Sequence, residues 1–498
     1  MANQPAGSLW LKQELGLNHY RITHRSYIGP RDKMEMALEG GIEQVYGPKY
    51  APARNSTFEH IEFLLKYDDL SLDFLLAVFE RIDEGELVAF IAKRPSGRYG
   101  RKIGFLYEWL TGKTLDLDFE PGGNYIDLLD EESYITGNTV KNSRWRINDN
   151  LLGVPTFCPM VRKTSAMKEM LATDLKGQIN ELKEEYSPEI FNRATQYLYR
   201  KETRSSYEIE SEKPSLDRMN RFIAILHQAG AQPAAEVLNE HNLTVLQNAI
   251  VDPRYAQPGY RDFQNYIGQT NYRREEVYHY ICPPPDMVRT MMEGLVAVEH
   301  KTAGGPAVVR AAMIAFGFVF IHPFLDGNGR IHRFLIHDML TRDGLAEQGL
   351  IIPVSAHMLN NMEHYDAALE DFSKPLMQRI SFNTGAKREL MVTNPQEVGA
   401  YFRYPDLTLQ STYLAQTIQS TIRHDLSDEL FFLERYDELK GDLKNLIDMP
   451  DRKLNEVIIF LHQNKGIFPN RRKRNFPEIT EGEFEVMQNI YSDVFAKD

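Results

Sequence analysis

Apolar residues recur every three or four positions over most of the chain, which is the spacing of an amphipathic α-helix. The spacing is clear from Phe58 to Val88 and again in the apolar stretch that ends at Ile321. It is lost between residues 115 and 165, where glycine pairs such as Gly122-Gly123 mark turns, so short strands and loops are expected there. The pattern predicts a mainly α protein whose first residues are also mostly helical.

Local signals define the ends of several helices. Ser187-Pro188-Glu189 combines a capping side chain, a proline suited to the first helical position and an acid near the positive end of the helix dipole. This helix is predicted to run to about Glu210. Further helices are predicted for Leu216–Gln228, Asp286–His300, Pro306–Ile321 and Arg330–Asp343, and for most of the region after about 390.

One short segment is typical of a strand instead. Residues Val277 to Cys282 alternate partly and are rich in β-forming side chains, and Pro283 to Pro285 follow directly. Proline cannot donate to a strand ladder, so the sequence predicts a short strand or hairpin that ends there.

Composition narrows the class of protein. The 498 residues carry 57 Lys and Arg against 70 Asp and Glu, and the net charge of −13 argues against a nucleic-acid surface over the whole chain. The local basic patch Arg471 to Arg474 could contact nucleic acid or another acidic partner, but surface solubility is the preferred interpretation. Cys158 and Cys282 are too few for a disulfide framework, which favours reduced thiols in a cytoplasmic protein.

No membrane attachment is expected. The start of the chain lacks a basic segment followed by an apolar one, so no signal peptide is evident. The longest apolar run, Ala311 to Ile321, is shorter than the roughly 20 residues that cross a bilayer.

The strongest chemical signal lies between Ile321 and Arg333. Pro323 disfavours a helical conformation at His322, so the segment is predicted to be helix, loop and helix, with Gly327 and Gly329 beside the second helix start. Glycines there let backbone N–H groups approach an anion, which the helix dipole also favours.

Charged side chains complete this segment. Arg330 and Arg333 are three residues apart, hence on one helical face, and guanidinium groups suit phosphate. Asp326 supplies a hard oxygen ligand for Mg²⁺, and His322 is the natural general base. Each residue alone is explained as well by a tight turn or surface charge, but together they indicate a phosphate-transfer site.

The segment resembles the Fic-family signature His-Pro-Phe-x-Asp/Glu-Gly-Asn-Gly-Arg-x-x-Arg at every defined position. The resemblance covers residues of roughly 185 to 380. It implies a Fic-type helical core with a short β-hairpin flap, flanked by N- and C-terminal mostly helical regions. It also implies an enzyme that transfers the AMP moiety of ATP to a Ser, Thr or Tyr hydroxyl of a target protein and releases pyrophosphate. The intact Gly-Asn-Gly core favours AMP transfer over the phosphate transfer of the family's toxin branch.

The resemblance assigns roles at the start of the segment. It implies that His322 deprotonates the target hydroxyl and that Asp326 holds Mg²⁺ between the α- and β-phosphates. Phe324 is expected to anchor the loop in the core and to take no part in the chemistry.

It also assigns roles at the helix start. Gly327, Asn328 and Gly329 are expected to form the anion-binding nest. Arg330 is expected to bind the γ-phosphate and Arg333 the β-phosphate.

A second element precedes this core. Ser206-Tyr207-Glu208-Ile209-Glu210 is similar to the family's inhibitory motif, Ser/Thr-x-x-x-Glu-Gly/Asn, with Ser211 in place of Gly or Asn. We expect the Glu210 carboxylate to pair with Arg330 and take the place of the γ-phosphate, which leaves ATP in a pose unfit for in-line attack. Glu210 could instead position a water that removes AMP from modified targets, and the sequence leaves both directions open.

The strand before the three prolines also resembles a part of the family. Residues 278–285 are similar to the flap, a hairpin that holds the target protein by strand addition. A plain proline-rich connection is the alternative. The sequence leaves open whether the chain forms a homo-oligomer.

The domain plan follows from these elements. An N-terminal region of residues 1–180, mostly helical with a loop- and strand-rich part, is expected to precede a Fic domain of residues 185–380 that includes an inhibitory helix, 187–211. A C-terminal helical region of residues 390–498 is expected to follow.

Two other functions remain open. One is an AMP-removing enzyme of the same fold. The other is a regulatory or nucleic-acid-binding protein with a vestigial Fic site, and the intact signature argues against this second alternative.

Overall fold

Helices dominate the chain, as the spacing of apolar residues predicts. The structure, a computed structural model, describes residues 3–31, 34–38, 41–53, 56–273, 275–385 and 389–495. Among these residues the strands form four small separate sheets. The protein is therefore mainly α.

The N-terminal part combines a small mixed sheet with helices. The strands β1, β2, β4 and β3 lie in that order, with β2 and β4 parallel. The elements are β1 (Gln4–Ala6), α1 (Gly7–Glu14), β2 (His24–Ile28), β3 (Met34–Leu38), β4 (Gly41–Tyr46), α2 (Thr57–Tyr67), α3 (Leu72–Phe79), α4 (Glu84–Ala92), α5 (Arg98–Thr111), β5 (Ile126–Asp127), β6 (Val140–Asn142), β7 (Ile147–Asp149), α6 (Ser165–Ala172) and α7 (Leu175–Glu185).

The prediction that the chain is mostly helical at its start is wrong for the first sheet. The strands there are short and carry buried polar side chains, such as Ser26 in β2, which donates a hydrogen bond to Asp68. Strands of this kind lack the alternation of apolar and polar residues that marks a strand in a sequence. They form because they pair with each other across the fold.

The middle of the chain is a helical body with one long hairpin. Its elements are α8 (Pro188–Ile209), α9 (Leu216–Leu226), α10 (Ala234–Val237), α11 (Glu240–Ile250), β8 (Tyr266–Thr270), β9 (Glu276–Ile281), α12 (Pro285–Lys301), α13 (Ala307–Ile321), α14 (Asn328–Arg342), α15 (Val354–Asn360), α16 (Met362–Met377), β10 (Phe382–Thr384), β11 (Leu390–Val392), α17 (Pro395–Arg403) and α18 (Thr408–Ser420). A π-helical turn, Thr421–Leu426, leads to α19 (Ser427–Leu446), α20 (Asp451–Gln463), α21 (Asn470–Lys473) and α22 (Glu481–Phe495).

Several helix ends lie where the local signals place them. The Ser187 hydroxyl accepts a hydrogen bond from the Ile190 N–H at the start of α8, and Ser215 caps α9 in the same way. The strand before the three prolines forms an antiparallel hairpin, β8 with β9.

Three large apolar cores lie along the described residues. The first is formed mainly by the N-terminal part and also includes Ala400 of α17. The largest reaches from Ile135 to Leu430 and includes residues of α6, α7, α17 and α18. The last helices form a core of their own, from Leu439 to Val494. The predicted domain boundaries at 180 and 390 stay a prediction.

Two helices of the central body position the candidate site. A buried carboxylate of α8, Glu202, lies 2.7 Å from Nε2 of His337 in α14 and accepts a hydrogen bond from the Ser355 N–H at 2.8 Å. Since burial of an unpaired carboxylate is unfavourable, this contact fixes how α8 lies along α14. None of the helices in the described part of the chain is long and apolar enough to cross a membrane.

Candidate active site

The site lies where α13 ends and α14 begins. Helix α13 is buried from Val309 to its end at Ile321, and its last hydrogen bond runs from the His322 N–H to the Phe318 carbonyl. His322 then adopts a left-handed conformation with φ of 54°. A non-glycine residue in this region is strained, so the surrounding contacts must hold His322 there.

The His322 side chain is arranged to accept a proton. Its Nδ1 atom lies 3.1 Å from the carbonyl oxygen of Val319, which can only accept a hydrogen bond, so Nδ1 carries the proton and Nε2 is left as an acceptor. Burial lowers the pKa of His322 to about 4. The ring is therefore neutral at pH 7, the form that a general base needs.

The loop after His322 is closed by an asparagine. The Asn328 side chain accepts a hydrogen bond from the Phe324 N–H at 3.0 Å and donates one to the Phe324 carbonyl at 2.8 Å. Phe324 is fully buried, in agreement with its expected role as an anchor. The amide group of Asn328 therefore shapes the loop, and only its backbone N–H remains for an anion nest.

The start of α14 has the geometry of an anion-binding nest. Gly327 has φ of 91°, and the first intrahelical hydrogen bond runs from the Ile331 N–H to the Gly327 carbonyl. The N–H groups of the residues between them thus have no partner within the helix. A Cβ atom added to Gly329 would lie 2.0 Å from Oε1 of Glu210, so the Glu210 carboxylate rests directly on this glycine.

Arg333 joins the two helices beside the nest. Its Nε donates to the Ser206 hydroxyl at 2.8 Å, and its Nη2 donates to the Ser206 carbonyl at 2.7 Å and to Glu210 Oε1 at 2.8 Å. Arg333 is 1% exposed, and its Nη1 atom has no hydrogen-bond partner among the described residues. The structure therefore brings Ser206, Glu210 and Arg333 together at the nest.

The Glu210 carboxylate is ionised at neutral pH. Burial would raise its pKa, but the charge and hydrogen bond of Arg333, together with the charge of Arg330, outweigh burial and hold the pKa below its ordinary value. The side chain is 35% exposed, so it lies at the mouth of the site. An incoming anion could reach and displace it.

The predicted pairing of Glu210 with Arg330 is wrong, because Arg330 pairs with a different glutamate. Arg330 Nη2 lies 3.0 Å from Oε1 of Glu212 and 2.5 Å from Oδ1 of Asp326. Its guanidinium carbon also lies 5.3 Å from the centre of the Tyr207 ring. Two carboxylates just beyond the end of α8 thus engage Arg330 and Arg333, one each.

A Schellman motif at the end of α8 produces this arrangement. Ser211 has φ of 57°, its N–H donates to the Glu208 carbonyl, and the Glu212 N–H donates to the Tyr207 carbonyl. The turn brings Glu210 and Glu212 onto the same side of the helix end. Serine is unfavourable in this conformation by about 1 kcal/mol relative to glycine, which explains why Gly or Asn suits this position.

The acidic side chain of the loop fits a magnesium ion that is held largely by a substrate. Asp326 is 31% exposed, and its Oδ1 accepts hydrogen bonds from Arg330 and from the Gly327 N–H. Mg²⁺ commonly binds one or two carboxylates together with phosphate oxygens and water. The described residues contain no group of three or more His, Cys, Asp or Glu side chains that could hold a metal ion.

The hairpin β8–β9 lies next to this loop. It presents exposed apolar side chains, Ile267, Tyr272 and Val277, on the strands and the turn. Residues 283 to 285 leave the hairpin and begin α12. The predicted flap at 278–285 is therefore the second strand of a true hairpin together with the start of α12, and the docking of a target there stays a prediction.

Several further residues shape the site. Glu212 holds Arg330, and Arg218 donates to Glu212 at 2.7 Å and to the Ile250 carbonyl. Arg261 and Asn265 hold the loop after His322. In the sequence, Glu212 is marked only by its place next to Ser211, and Arg261 only as part of a structural turn, Gly259-Tyr260-Arg261. Asn265 carries no signal, because its partners lie 59 and 60 residues away.

His322, the start of α14 and the two arginines Arg330 and Arg333 thus lie together in a mainly helical protein. A family model described as the Fic/DOC family matches residues 237–340. A Fido domain-containing protein of Dictyostelium discoideum is 36% identical over 91 residues, which cover 17% of this chain and 61% of that protein. The protein adenylyltransferase Fic of Drosophila ananassae is 38% identical over 78 residues, covering 15% of this chain and 16% of that protein. The chain thus spans less than two thirds of the length of either relative.

Two solved structures show looser similarity. A Fic family protein from Desulfovibrio desulfuricans has a TM-score of 0.37 and 17% identity, and covers 63% of this chain and 87% of that chain. A Fic domain-containing signaling protein from Bacteroides thetaiotaomicron has a TM-score of 0.36 and 18% identity, and covers 53% of this chain and 97% of that chain. The assignment rests on the family model and the sequence relatives: the chain is a Fic domain protein.

Replacing Ser211 by glycine is expected to stabilise the end of α8. Glycine adopts the left-handed conformation without strain, which favours the folded turn by about 1 kcal/mol. Hydrogen exchange at the amides of residues 211 and 212 should therefore be about fivefold slower in Ser211→Gly than in the parent protein. Hydrogen exchange measured by NMR tests this. Ser211→Val is the matched control and should accelerate exchange at Glu212. Equal exchange in both variants would contradict the strained turn.

The buried His322 is expected to make stability depend on pH. Its pKa in the fold, about 4, lies below the ordinary 6.5, so the unfolded chain binds the proton more readily. Stability is fully present above pH 6.5 and is lost as the pH falls towards 4. In His322→Asn, the midpoint of denaturant unfolding should change less steeply over this range. The control is His241→Asn, at an exposed histidine. In this variant the unfolding midpoint should depend on pH as steeply as in the parent protein.

Proposed function

We propose that this protein is an adenylyltransferase that transfers AMP from ATP to a hydroxyl side chain of a target protein. The observation that carries the proposal is the placement of His322, with a free Nε2 acceptor, beside the nest of α14 and the buried guanidinium groups of Arg330 and Arg333. The name of the Drosophila relative, a protein adenylyltransferase, supports the same activity.

The reaction follows from the chemistry of these groups. The His322 Nε2 atom accepts the proton of the target hydroxyl, and the hydroxyl oxygen forms a bond to the α-phosphorus of ATP. The bond from this phosphorus to the bridging oxygen breaks, and pyrophosphate leaves. The N–H groups of the nest and the two guanidinium groups bind the phosphate oxygens, where charge develops as the bond breaks.

Magnesium belongs to the proposed reaction as a bound ion. Asp326 would hold it together with phosphate oxygens of ATP. When bound, Mg²⁺ neutralises phosphate charge and thereby favours departure of pyrophosphate.

We further propose that Glu210 keeps the site closed. Its carboxylate rests on Gly329 and pairs with Arg333, so it occupies the space and the charge partner that a phosphate group needs. A phosphate group and this carboxylate would repel each other at such short distance. ATP can therefore bind in a reactive pose only when Glu210 is displaced.

Glu212 extends this closure to the second arginine. With Asp326 it holds Arg330, which is 1% exposed, so negative charge already flanks the guanidinium group on two sides. Release of Glu210 alone would free Arg333 and leave Arg330 engaged. In this proposal, the two carboxylates just beyond the end of α8, Glu210 and Glu212, together keep phosphate groups away from Arg333 and Arg330.

Removal of the Glu210 side chain is expected to activate the enzyme. Purified parent protein, Glu210→Gly, and Glu210→Gly with His322→Ala are incubated with Mg²⁺ and ATP labelled at the α-phosphate, and label on protein is followed by gel. Strong labelling is expected only in Glu210→Gly, because it alone has both an open nest and a base. ATP labelled at the γ-phosphate is the control and should label none of them.

Other outcomes assign other functions. Label from the γ-phosphate would identify phosphate transfer. No label in any variant, on itself or on lysate proteins, would contradict AMP transfer. If the parent protein then releases AMP from a modified target and Glu210→Gly does not, Glu210 serves AMP removal.

Replacing Glu212 by glutamine should tighten ATP binding in the Glu210→Gly background. The change keeps the size of the side chain but removes its charge, and the loss of one partly exposed charge pair corresponds to about fivefold in affinity. Calorimetric titration with ATP and Mg²⁺ measures it. Glu208→Gln is the matched control, because Glu208 pairs with the exposed Arg204. Weaker ATP binding in Glu212→Gln would show that Glu212 supports Arg330 and does not lock it.

A further inference from the structure

We propose that the chain segment before the hairpin, residues 257–265, positions the base His322, with Arg261 as the principal positioning residue. The inference rests on the proposed function for the role of His322. It concerns how the base is held, and the observations for it are hydrogen bonds outside the anion nest.

The side chain of Arg261 donates its hydrogen bonds to backbone carbonyl groups around His322. Its Nε donates to the His322 carbonyl at 2.8 Å, and its Nη2 donates to the Ile321 carbonyl at 3.4 Å and to the Pro283 carbonyl at 2.7 Å. Nη1 donates to the Phe263 carbonyl at 2.8 Å. Arg261 is 3% exposed, so these contacts are shielded from water.

The rest of the loop is held by the same short segment. The Arg261 N–H donates to the Pro323 carbonyl at 2.8 Å. The Asn265 side chain donates to the carbonyls of Phe324 at 3.0 Å and Leu325 at 3.3 Å. Every carbonyl from Ile321 to Leu325 therefore accepts a hydrogen bond from Arg261 or Asn265.

These contacts explain how a strained base is kept in place. The last carbonyls of α13 have no partner within the helix, and the left-handed turn at His322 is unfavourable by itself. A planar guanidinium group with a forked set of donors can satisfy two successive carbonyls and still reach a third. Among the described residues Arg261 has no acidic partner, and the negative end of the α13 dipole favours its charge.

The same two residues support the base of the hairpin. Pro283, whose carbonyl accepts from Arg261, follows β9 directly, and the Cys282 N–H donates to the Asn265 carbonyl at 3.0 Å. The hairpin and the loop of His322 thus share one support. A peptide held by the hairpin would lie at a fixed distance from the base, which is the condition for in-line attack by its hydroxyl.

The test measures the effect on the base His322 separately from the effect on ATP binding at the start of α14. Arg261→Lys and Asn265→Ala are made in the Glu210→Gly background. Arg254→Lys is the control, since Arg254 is exposed and its one ion pair within the described part of the chain is with the nearby Asp252. Rates of label transfer from α-labelled ATP, calorimetric ATP affinity and hydrogen exchange of residues 318–327 are recorded. Thermal unfolding midpoints show how far each variant remains folded.

Loss of positioning has a specific signature. Both variants should lower kcat by about tenfold or more, because small displacements of a base are costly in rate. The KM for ATP and its affinity should stay within about twofold, because the nest and the arginines of α14 lie beyond the loop. The backbone amides of His322, Phe324 and Leu325 should exchange faster, and Arg254→Lys should match the parent.

Other results overturn the inference. An unchanged kcat with unchanged exchange at residues 322–325 would show that Arg261 does not position the loop. Equal losses in kcat, ATP affinity and unfolding midpoint would show that it only maintains the fold. If Glu210→Gly itself transfers no label, AMP transfer fails as the function, and the exchange measurement still decides whether Arg261 and Asn265 hold the loop.

Discussion

The buried contact between Arg333 and the end of α8 is the interaction on which the rest of the site depends. A guanidinium group that is 1% exposed must be paired, and Ser206 and Glu210 supply the partners. The same carboxylate covers Gly329 at the start of α14. One interaction thus satisfies a buried charge and covers the start of α14. Under the proposed function, a phosphate group would have to replace the carboxylate before it could bind there.

The register of α8 along α14 determines where that carboxylate lies. Glu202, Ser206 and Glu210 are spaced four residues apart on α8 and meet His337, Arg333 and the nest in turn. The contact of Glu202 is fully buried, whereas Glu210 is 35% exposed. Displacement can therefore begin at the end of the helix while its buried part stays in place, and the strained turn at Ser211 lies at that same end.

The two sides of the site are held by different parts of the chain. Helix α8 acts on the arginines of α14, and the segment before the hairpin acts on His322 and the loop after it. Asn328 joins the two sides by closing the loop onto Phe324. Under the proposed function, this separation would let carboxylates occupy Arg330 and Arg333 while His322 keeps its orientation.

The sequence by itself determined the features that depend on neighbouring residues, because caps, turns and helix starts act within a few positions. These features are the helix capped at Ser187, the strand that ends before the prolines, and the histidine, glycines and arginines between 322 and 333. Only the tertiary structure decided that Glu210 meets Arg333, 123 residues away, and that Glu212 meets Arg330, 118 residues away. The tertiary structure also decided that the N-terminal strands pair into a sheet and that Arg261 donates hydrogen bonds to the backbone around His322. Such contacts arise when distant segments pack around a shared core, and which of two equivalent arginines a carboxylate reaches is fixed by that packing.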